Sequence, residues 1–431
     1  MDRLPPTSLL TDHYELTMLA SALADGTAER HSVFELFARR LPDGRRYGVV
    51  GGVGRVLDAI ESFTFGDDEL TFLEQQDVVP PHVLDWLASY RFTGDVDGYP
   101  EGELYFPGSP VLSVEATFAQ AVVLETLVLS ILNHDSAIAS ASARMVVAAG
   151  GRPVNEMGSR RTSEYAAVAA ARAAYLGGFM ATSNLEAGRR YGVPTTGTSA
   201  HSFVLLHDTE EDAFRAQVEA LGRDTTLLVD TYDIAQGVRT AVEVAGPALG
   251  AVRIDSGELT VLAHETRTLL DELGNAKTRI VVSGDLDEYA IAALAAAPVD
   301  AYGAGTAVVT GSGAPTAGMV YKLVEVEGRP VAKRSQDKQS RGGRKYGVRR
   351  YRPSGTAVEE VVRKGGLGEL GPGERALQVP LMREGKRVDG LPALDESRDH
   401  LRRALVTVPW DGMKLSRGEP AIPTVFEGVP R

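Results

Sequence analysis

From about residue 150 the chain repeats one pattern. A short apolar, β-branched run ends in a polar or glycine-containing turn, and an Ala/Leu/Glu/Arg-rich stretch of helical period follows. The runs end at NEMGSRR (155–161), FMATSN (179–184), VPTTGTSAH (193–201), TLLVDTYD (226–233), VRIDSGEL (252–259), IVVSGDLDE (280–288) and AYGAGTAVV (301–309). SEYAAVAAARAAYLG, EEDAFRAQVEALG, ELTVLAHETRTLLDELG and DEYAIAALAAA read as helices, and NLEAGRRYG as a short one. A period of roughly 20–30 residues is that of repeated βα units. The pattern therefore predicts an α/β domain at 116–330 with one parallel sheet, either closed into a barrel or doubly wound.

Residues 1–115 follow a different rhythm. HSVFELFAR (31–39) alternates like a half-buried strand, VGRVLDAIESF and DELTFLEQQ read as helices, and the stretch after them is rich in turns. This predicts an N-terminal α+β domain. Beyond about 330 the periodicity stops. A basic stretch, AKRSQDKQSRGGRKYGVRR (332–350), leads into a C-terminal segment (331–431) with one amphipathic helix near 395–406. This segment is expected to pack back on the N-terminal domain.

Composition narrows the function classes. Of the 431 residues 43% are hydrophobic and 24% charged, as in an ordinary soluble protein. The net charge of −13 argues against a nucleic-acid or anionic-membrane binder. An anionic ligand must then be held by local cations and backbone amides. The absence of cysteine excludes disulfides, thiolate catalysis and cysteine zinc sites. The first residues do not read as a signal peptide. AQAVVLETLVLSIL (119–132) is too short to span a bilayer and carries Glu125. A cytoplasmic protein without membrane partners is expected.

Chemistry is expected at the C-terminal ends of the strands, where barrels and open α/β sheets alike place their sites. His201 lies at such an end among Ser199, Ala200 and Ser202, with room for a large group to approach. A core histidine with one satisfied hydrogen bond fits the same neighbours. GSRRTSE offers two arginines before a helix start, a grip for carboxylate or phosphate; the bland alternative is a helix cap beside solvated arginines. DSGEL and SGDLDE each pair a carboxylate with glycine at a helix N-terminus, suited to ribose hydroxyls and phosphate, although Asp-Ser-Gly is also an ordinary turn. YGAGT resembles the late-strand phosphate sites of barrels, or a plain tight turn. VVGGVGRVLDAI (49–60) imitates a dinucleotide fingerprint, but Leu57 stands where the third glycine belongs. The basic 332–350 stretch reads as a solvated loop or a phosphate-contacting flap.

In order and spacing, TDHYELTM, FELFARRLP, GSRRT, ATSN, GTSAH, DTYD, RIDSGEL, SGDLDE, GAGT and the late K-R-S…K…G-R-K loop resemble the nicotinate phosphoribosyltransferase family. The resemblance implies the type II phosphoribosyltransferase fold, an irregular (β/α) barrel with an N-terminal α+β domain and a C-terminal extension, usually as a homodimer with shared sites. It implies joining of nicotinate to phosphoribosyl pyrophosphate, giving nicotinate mononucleotide and pyrophosphate. ATP is the implied co-substrate and Mg2+ the implied cofactor, with metal ligands unassigned. Position by position, it makes His201 the phosphorylated histidine and Asp230 its hydrogen-bond partner. Tyr14, with Asp12 beside it, would stack on the pyridine from the partner subunit. Arg160 would meet the nicotinate carboxylate and Thr198 would help hold the substrate. Arg253 and Asp255 would hold the phosphoribosyl group, and Gly284, Asp285, Gly305 and Thr306 would line its 5′-phosphate.

Three positions depart from the pattern. Met157 stands where nicotinamide-using relatives carry a stacking phenylalanine, and Ser183 where they carry an aspartate. Gly342-Gly343 replaces a Pro-Gly in the late loop. The chemistry is consistent with the resemblance: displacing pyrophosphate from an anomeric carbon needs charge stabilisation and positioning more than a strong base. The histidine is then free for a covalent phosphate role, with an aspartate fixing one ring nitrogen. The same fold acting on nicotinamide, or a decarboxylating quinolinate enzyme, are the alternatives. From another class, so is a phosphate-sugar binding protein without chemistry, which would have no use for a phosphorylatable histidine.

Overall fold

The computed structural model describes residues 6–333 and 340–428. The chain divides into two compact units, Ala141–Pro315 and a second composed of Met1–Ser140 with Thr316–Arg431. The sequence reading placed 116–140 and 316–330 with the barrel, whereas these segments fall in the second unit.

The Ala141–Pro315 unit holds six parallel strands: Val154–Glu156, Ala181–Thr182, Thr226–Leu228, Ala251–Ile254, Arg279–Ser283 and Ala301–Ala304. Numbered in that order, their hydrogen-bonded sequence is 2-1-6-5-4-3. The first strand thus pairs with the last, Val154 opposite Tyr302 and Glu156 opposite Ala304. A sheet that keeps chain order while joining its first and last strands is curled into a barrel, which excludes the doubly wound alternative. The ring is incomplete. VPTTGTSAH, expected as a strand, contributes only one bridge, Thr182 to Thr195. Pro194 has no N–H to donate to a ladder; its carbonyl accepts from Thr182 N–H at 2.9 Å, and Thr196 N–H returns the bond to Thr182 O at 2.9 Å. No ladder then joins this segment to Thr226–Leu228, and a short helix, His201–Leu205, begins at the histidine itself.

Helices follow the strand ends, and several start on a side-chain cap from the motif before them. Asn184 accepts from Ala187 N–H, Asp233 from Gln236 N–H and Asp287 from Tyr289 and Ala290 N–H. Part of the polarity of the strand ends is therefore turn chemistry. One helix, Ile234–Ala245, was not read from the sequence. Gly237 and its β-branched neighbours weaken its helical signature. That glycine lets the helix approach the third strand, since a Cβ there would lie 2.5 Å from Val229 O.

The other unit is built on a seven-stranded sheet, ordered Arg329–Pro330, Met319–Val326, His31–Ala38, Leu112–Thr117, Asp95–Gly98, Val379–Arg383 and Lys386–Arg387. Its main pairings are antiparallel. Residues of the C-terminal segment thus complete a sheet begun by the N-terminal one, Val379 opposite Gly98. The apolar 119–132 stretch continues further than its composition indicated, as helices Phe118–Val122 and Glu125–Ala148. Residues 118–148 are long and apolar enough to cross a membrane by composition alone, but 67% of their most apolar window is buried inside the protein. The dinucleotide-like glycines have a packing role: a Cβ on Gly51 would lie 2.8 Å from Asp135 O.

Where the sequence reading found no strands, a four-stranded sheet appears: Glu374–Ala376, Lys345–Tyr351, Ala357–Lys364 and Thr424–Glu427. Its inward positions carry charges, which hid the alternation. Arg349 and Glu360 are both buried, and Arg349 donates to Glu103 (2.7 Å) and Glu360 (2.5 Å). Glu103 also takes Arg375 and His400, each at 2.9 Å. Burial would push the Glu103 carboxyl up; Arg349, His400 and Arg375 outweigh it and hold it well below the ordinary range. Removing the central cation takes from the buried Glu360 the guanidinium it pairs with and leaves Glu103 with Arg375 and His400 alone. Arg349→Met should therefore cost about 3–5 kcal/mol of stability, read as a lowered midpoint in urea unfolding; a change below about 1 kcal/mol, the worth of a surface pair, would contradict this account.

Candidate active site

His201 opens its short helix with its side chain 39% exposed, and its Nε2 lies 3.1 Å from Asp230 Oδ1. Asp230, just past the third barrel strand, has a side chain only 1% exposed. Its other oxygen accepts Asp255 N–H and the Ser256 hydroxyl, both at 2.8 Å. The carboxylate is thus anchored to the next loop before it meets the histidine. An aspartate facing Nε2 selects the Nε2–H tautomer and leaves Nδ1 with its lone pair free. His201 is on the rim and not in the core.

Arg253 projects from the fourth strand and donates from Nη1 to Thr198 Oγ1 at 2.6 Å. Burial lowers the Arg253 pKa; Asp255 and Asp230 oppose that, and the charge of Arg160 adds to it. Arg160 is therefore close enough for its charge to be felt. Two guanidinium groups from the first and fourth strand ends form a local cationic region in an acidic protein, suited to an anion. Asp255 receives the Ser283 hydroxyl, a short hydrogen bond that joins the fourth and fifth strand ends. Gly284 follows with φ +102°, and a Cβ there would lie 2.4 Å from Asp255 O, so only glycine fits. Asp285 also has a positive φ, +38°. Gly305 precedes the helical turn Thr306–Val309. Ser183 is exposed beside the first strand, its N–H donating to Glu156 O at 2.9 Å.

The barrel unit thus brings Arg160, Ser183, Thr198, His201, Asp230, Arg253, Asp255, Gly284, Asp285, Gly305 and Thr306 to strand ends of one sheet edge. Tyr14 and Asp12 belong to the other unit, at the start of helix His13–Asp25. Tyr14 is 44% exposed. Burial, then Glu125, Glu15 and Asp12, push its phenol up to about 12, which keeps the ring neutral at physiological pH. In the same unit a cavity of about 720 Å³ is lined by Phe37, Arg39, Arg341, Lys345 and Phe426, with the Arg341 guanidinium 3.9 Å from the Phe426 ring centre. Of the late basic loop, residues 334–339 lie outside the described residues.

Residues 9–133 match the family model of the nicotinate phosphoribosyltransferase N-terminal domain, and residues 138–312 that of the quinolinate phosphoribosyl transferase C-terminal domain. A nicotinate phosphoribosyltransferase of Mycobacterium tuberculosis is 60% identical over 98% of this chain and 96% of its own length. The chain belongs to the nicotinate phosphoribosyltransferase family. A second nicotinate phosphoribosyltransferase of that organism is 42% identical over 93% of this chain and 88% of its own. Human nicotinic acid phosphoribosyltransferase superposes with a TM-score of 0.84 at 26% identity, covering 97% of this chain and 98% of that one.

Family resemblance did not point to every polar group at this edge. Glu156, Thr182, Asn184 and Ser256 lie inside the strand-end motifs, yet the resemblance implies no role for them. Glu210, the first residue of helix Glu210–Leu221, was outside them altogether. Burial, then the nearby Asp233, push the Glu210 carboxyl up to about 7. In the unfolded chain it ionises near 4.5, so folding takes up a proton between these values. Its contribution to stability is full below about 4.5 and is lost as pH rises through about 7. The melting temperature of the wild type should fall relative to that of Glu210→Gln across this window. Parallel curves would show that Glu210 ionises normally.

Proposed function

We propose that this protein joins nicotinate to phosphoribosyl pyrophosphate, giving nicotinate mononucleotide and pyrophosphate in NAD biosynthesis, with ATP hydrolysis coupled through phosphorylation of His201. The carrying observation is the His201–Asp230 pair at the mouth of a barrel whose neighbouring strand ends hold Arg253, Arg160 and Asp255. The Nδ1 lone pair attacks the γ-phosphorus of ATP and ADP leaves, while Nε2–H goes on donating to Asp230; water then takes the phosphoryl group from Nδ1 as inorganic phosphate and frees the histidine. Asp255 takes the ribose hydroxyls, the Gly284-Asp285 and Gly305-Thr306 turns take the 5′-phosphate, and Arg160 meets the pyridine carboxylate. Among the described residues no group of three ligating side chains could hold a metal. Mg2+ is bound through substrate phosphates and one or two carboxylates; Asp255 and Asp285, at the fourth and fifth strand ends, are the carboxylates that would hold it. Bound there, Mg2+ would neutralise phosphate charge.

We further propose a homodimer with shared sites, in which Tyr14 stacks on the pyridine of the partner's site. Tyr165, Leu185, Leu206, Tyr232 and Tyr289 are exposed, each within or a few residues after a strand-end motif. Large apolar side chains left exposed at these ends support burial against another surface.

Incubation with Mg-ATP should give an acid-labile, base-stable phosphoryl label that is lost in His201→Ala and formed more slowly in Asp230→Asn. Equal labelling of His201→Ala would refute the phosphohistidine. The choice of pyridine is tested separately. A charge-assisted hydrogen bond is worth about 1.5–3 kcal/mol, so the arginine contact should favour nicotinate over nicotinamide by roughly ten- to a hundredfold in kcat/KM. Arg160→Ala should raise KM for nicotinate, with Lys at 160 rescuing only in part. Comparable kcat/KM for the two pyridines in the wild type would remove the acid-substrate reading, and turnover of quinolinate in its place would favour the decarboxylating alternative.

A further inference from the structure

Between the loop of Arg160, which meets the pyridine carboxylate in the proposed chemistry, and Ser183, which stands where nicotinamide-using relatives carry an aspartate, lies a buried carboxylate that no step of that chemistry uses. Glu156 ends the first barrel strand and is 1% exposed. Its Oε1 accepts the N–H of Gly158 in a short bond, and its Oε2 accepts the hydroxyl of Thr182 on the second strand at 2.5 Å. Thr182 has given its proton away, so its oxygen can only accept, and it accepts Asn184 N–H at 3.0 Å. Asn184 is oriented by Ala187 N–H, which needs an acceptor and finds Oδ1 at 2.9 Å. Its amide nitrogen is thereby aimed back across the gap, where it donates to Ser159 Oγ at 3.1 Å.

Gly158, Ser159 and Arg160 are consecutive, as are Thr182, Ser183 and Asn184. The hydrogen bonds therefore close a ring, Gly158–Glu156–Thr182–Asn184–Ser159, around the two loops that carry Arg160 and Ser183. Gly158 N–H and the Thr182 hydroxyl converge on Glu156, and Asn184 donates from its backbone N–H to Thr182 and from its amide to Ser159, so every donor in the ring has one acceptor. The space inside is tight as well: a Cβ on Gly158 would lie 2.9 Å from both Glu156 Oε1 and Gly305 O.

We propose that Glu156, Thr182, Asn184 and Ser159 form a positioning ring that fixes the spacing between Arg160 and Ser183 and thereby sets the preference for the acid over the amide. The proposal rests on the nicotinate reading above. None of the four touches the reacting atoms. Their contribution is to fix the backbone from which Arg160 projects its planar, two-pronged donor, so that the loop is held by more than its own turn.

Substitution at Glu156 shows how the ring transmits. Glutamine has the same shape but presents one N–H2 where both neighbours are donors. Either Gly158 N–H faces a donor, or the glutamine N–H2 donates to Thr182 Oγ1 and the Thr182 hydroxyl loses its own acceptor. A buried group of this kind can also unfold the protein, so the decisive variants lie on the outer side of the ring. Asn184→Ser retains a helix-capping oxygen but is too short to reach Ser159. Ser159→Ala removes the acceptor from the other end of the same bond.

Purified full-length wild type, Asn184→Ser, Ser159→Ala and the double variant are compared by kcat/KM for nicotinate and for nicotinamide, by KM for phosphoribosyl pyrophosphate, and by melting temperature. Each single change should lower the nicotinate-over-nicotinamide ratio by roughly three- to tenfold, the size of one neutral hydrogen bond. The double variant should lower it no further, because both residues act through one bond. KM for phosphoribosyl pyrophosphate should stay within about twofold, since one hydrogen bond at the pyridine end is not shared with the phosphate end. A high wild-type ratio left unchanged in both singles, or a parallel rise in both substrates' KM, overturns the positioning ring and leaves the nicotinate reading standing. A wild-type ratio near one overturns both.

Discussion

The hydrogen bonds between Val154–Glu156 and Ala301–Ala304 are the constraint on which the active-site edge depends. By joining the first barrel strand to the last, they oblige the strands between to follow a curve, and all strand ends then face one rim. Without that pairing GSRR and GAGT would lie at distant points of an open sheet. With it, Met157 N–H reaches Ala304 O at 2.7 Å and the two loops are neighbours. The catalytic potential of the rim is a result of closure first and of side-chain chemistry second.

Within the rim, carboxylates act as fixed points that tie one strand end to the next. Asp230 is tied to the following loop through Asp255 N–H and Ser256 before it orients His201. Asp255 is tied in turn to Ser283 on the fifth strand end. Each acidic side chain is thus shared by two strand ends, and the loops form a chain of mutually dependent parts. The same logic operates on a larger scale in the other unit, where Arg349 lies between Glu103 and Glu360.

Much of this was legible in the sequence. Parallel barrel strands are short and apolar on both faces, so their ends stand out as sudden polarity, and TLLVDTYD or IVVSGDLDE announced both a strand and a functional position. The segment 193–201 misled because GTSAH sits at a strand-like place in the repeat, while Pro194 denies it a ladder. The C-terminal sheet was illegible for a different reason: Lys345, Arg349 and Glu360 face inward, and buried charges that cancel each other look like surface in a linear reading. The contacts within the rim were beyond reach for a third. Thr182 and Glu156 are 26 residues apart, and Asn184 and Ser159 are 25; nothing local in either motif points to the other.

The gap in the barrel makes it mechanically uneven. Five ladders bind the strands that carry Arg160, Arg253, Asp255 and the two glycine turns, whereas the segment before His201 is attached by a bridge one residue wide. Ground that is stiff on one side and compliant on the other can receive a change of charge without passing strain around the ring. A group of two negative charges added to His201, or taken from it, would be accommodated by residues 196–201, which have few backbone bonds to break. The rest of the rim would keep its dimensions. The missing strand is, in this sense, an expansion joint.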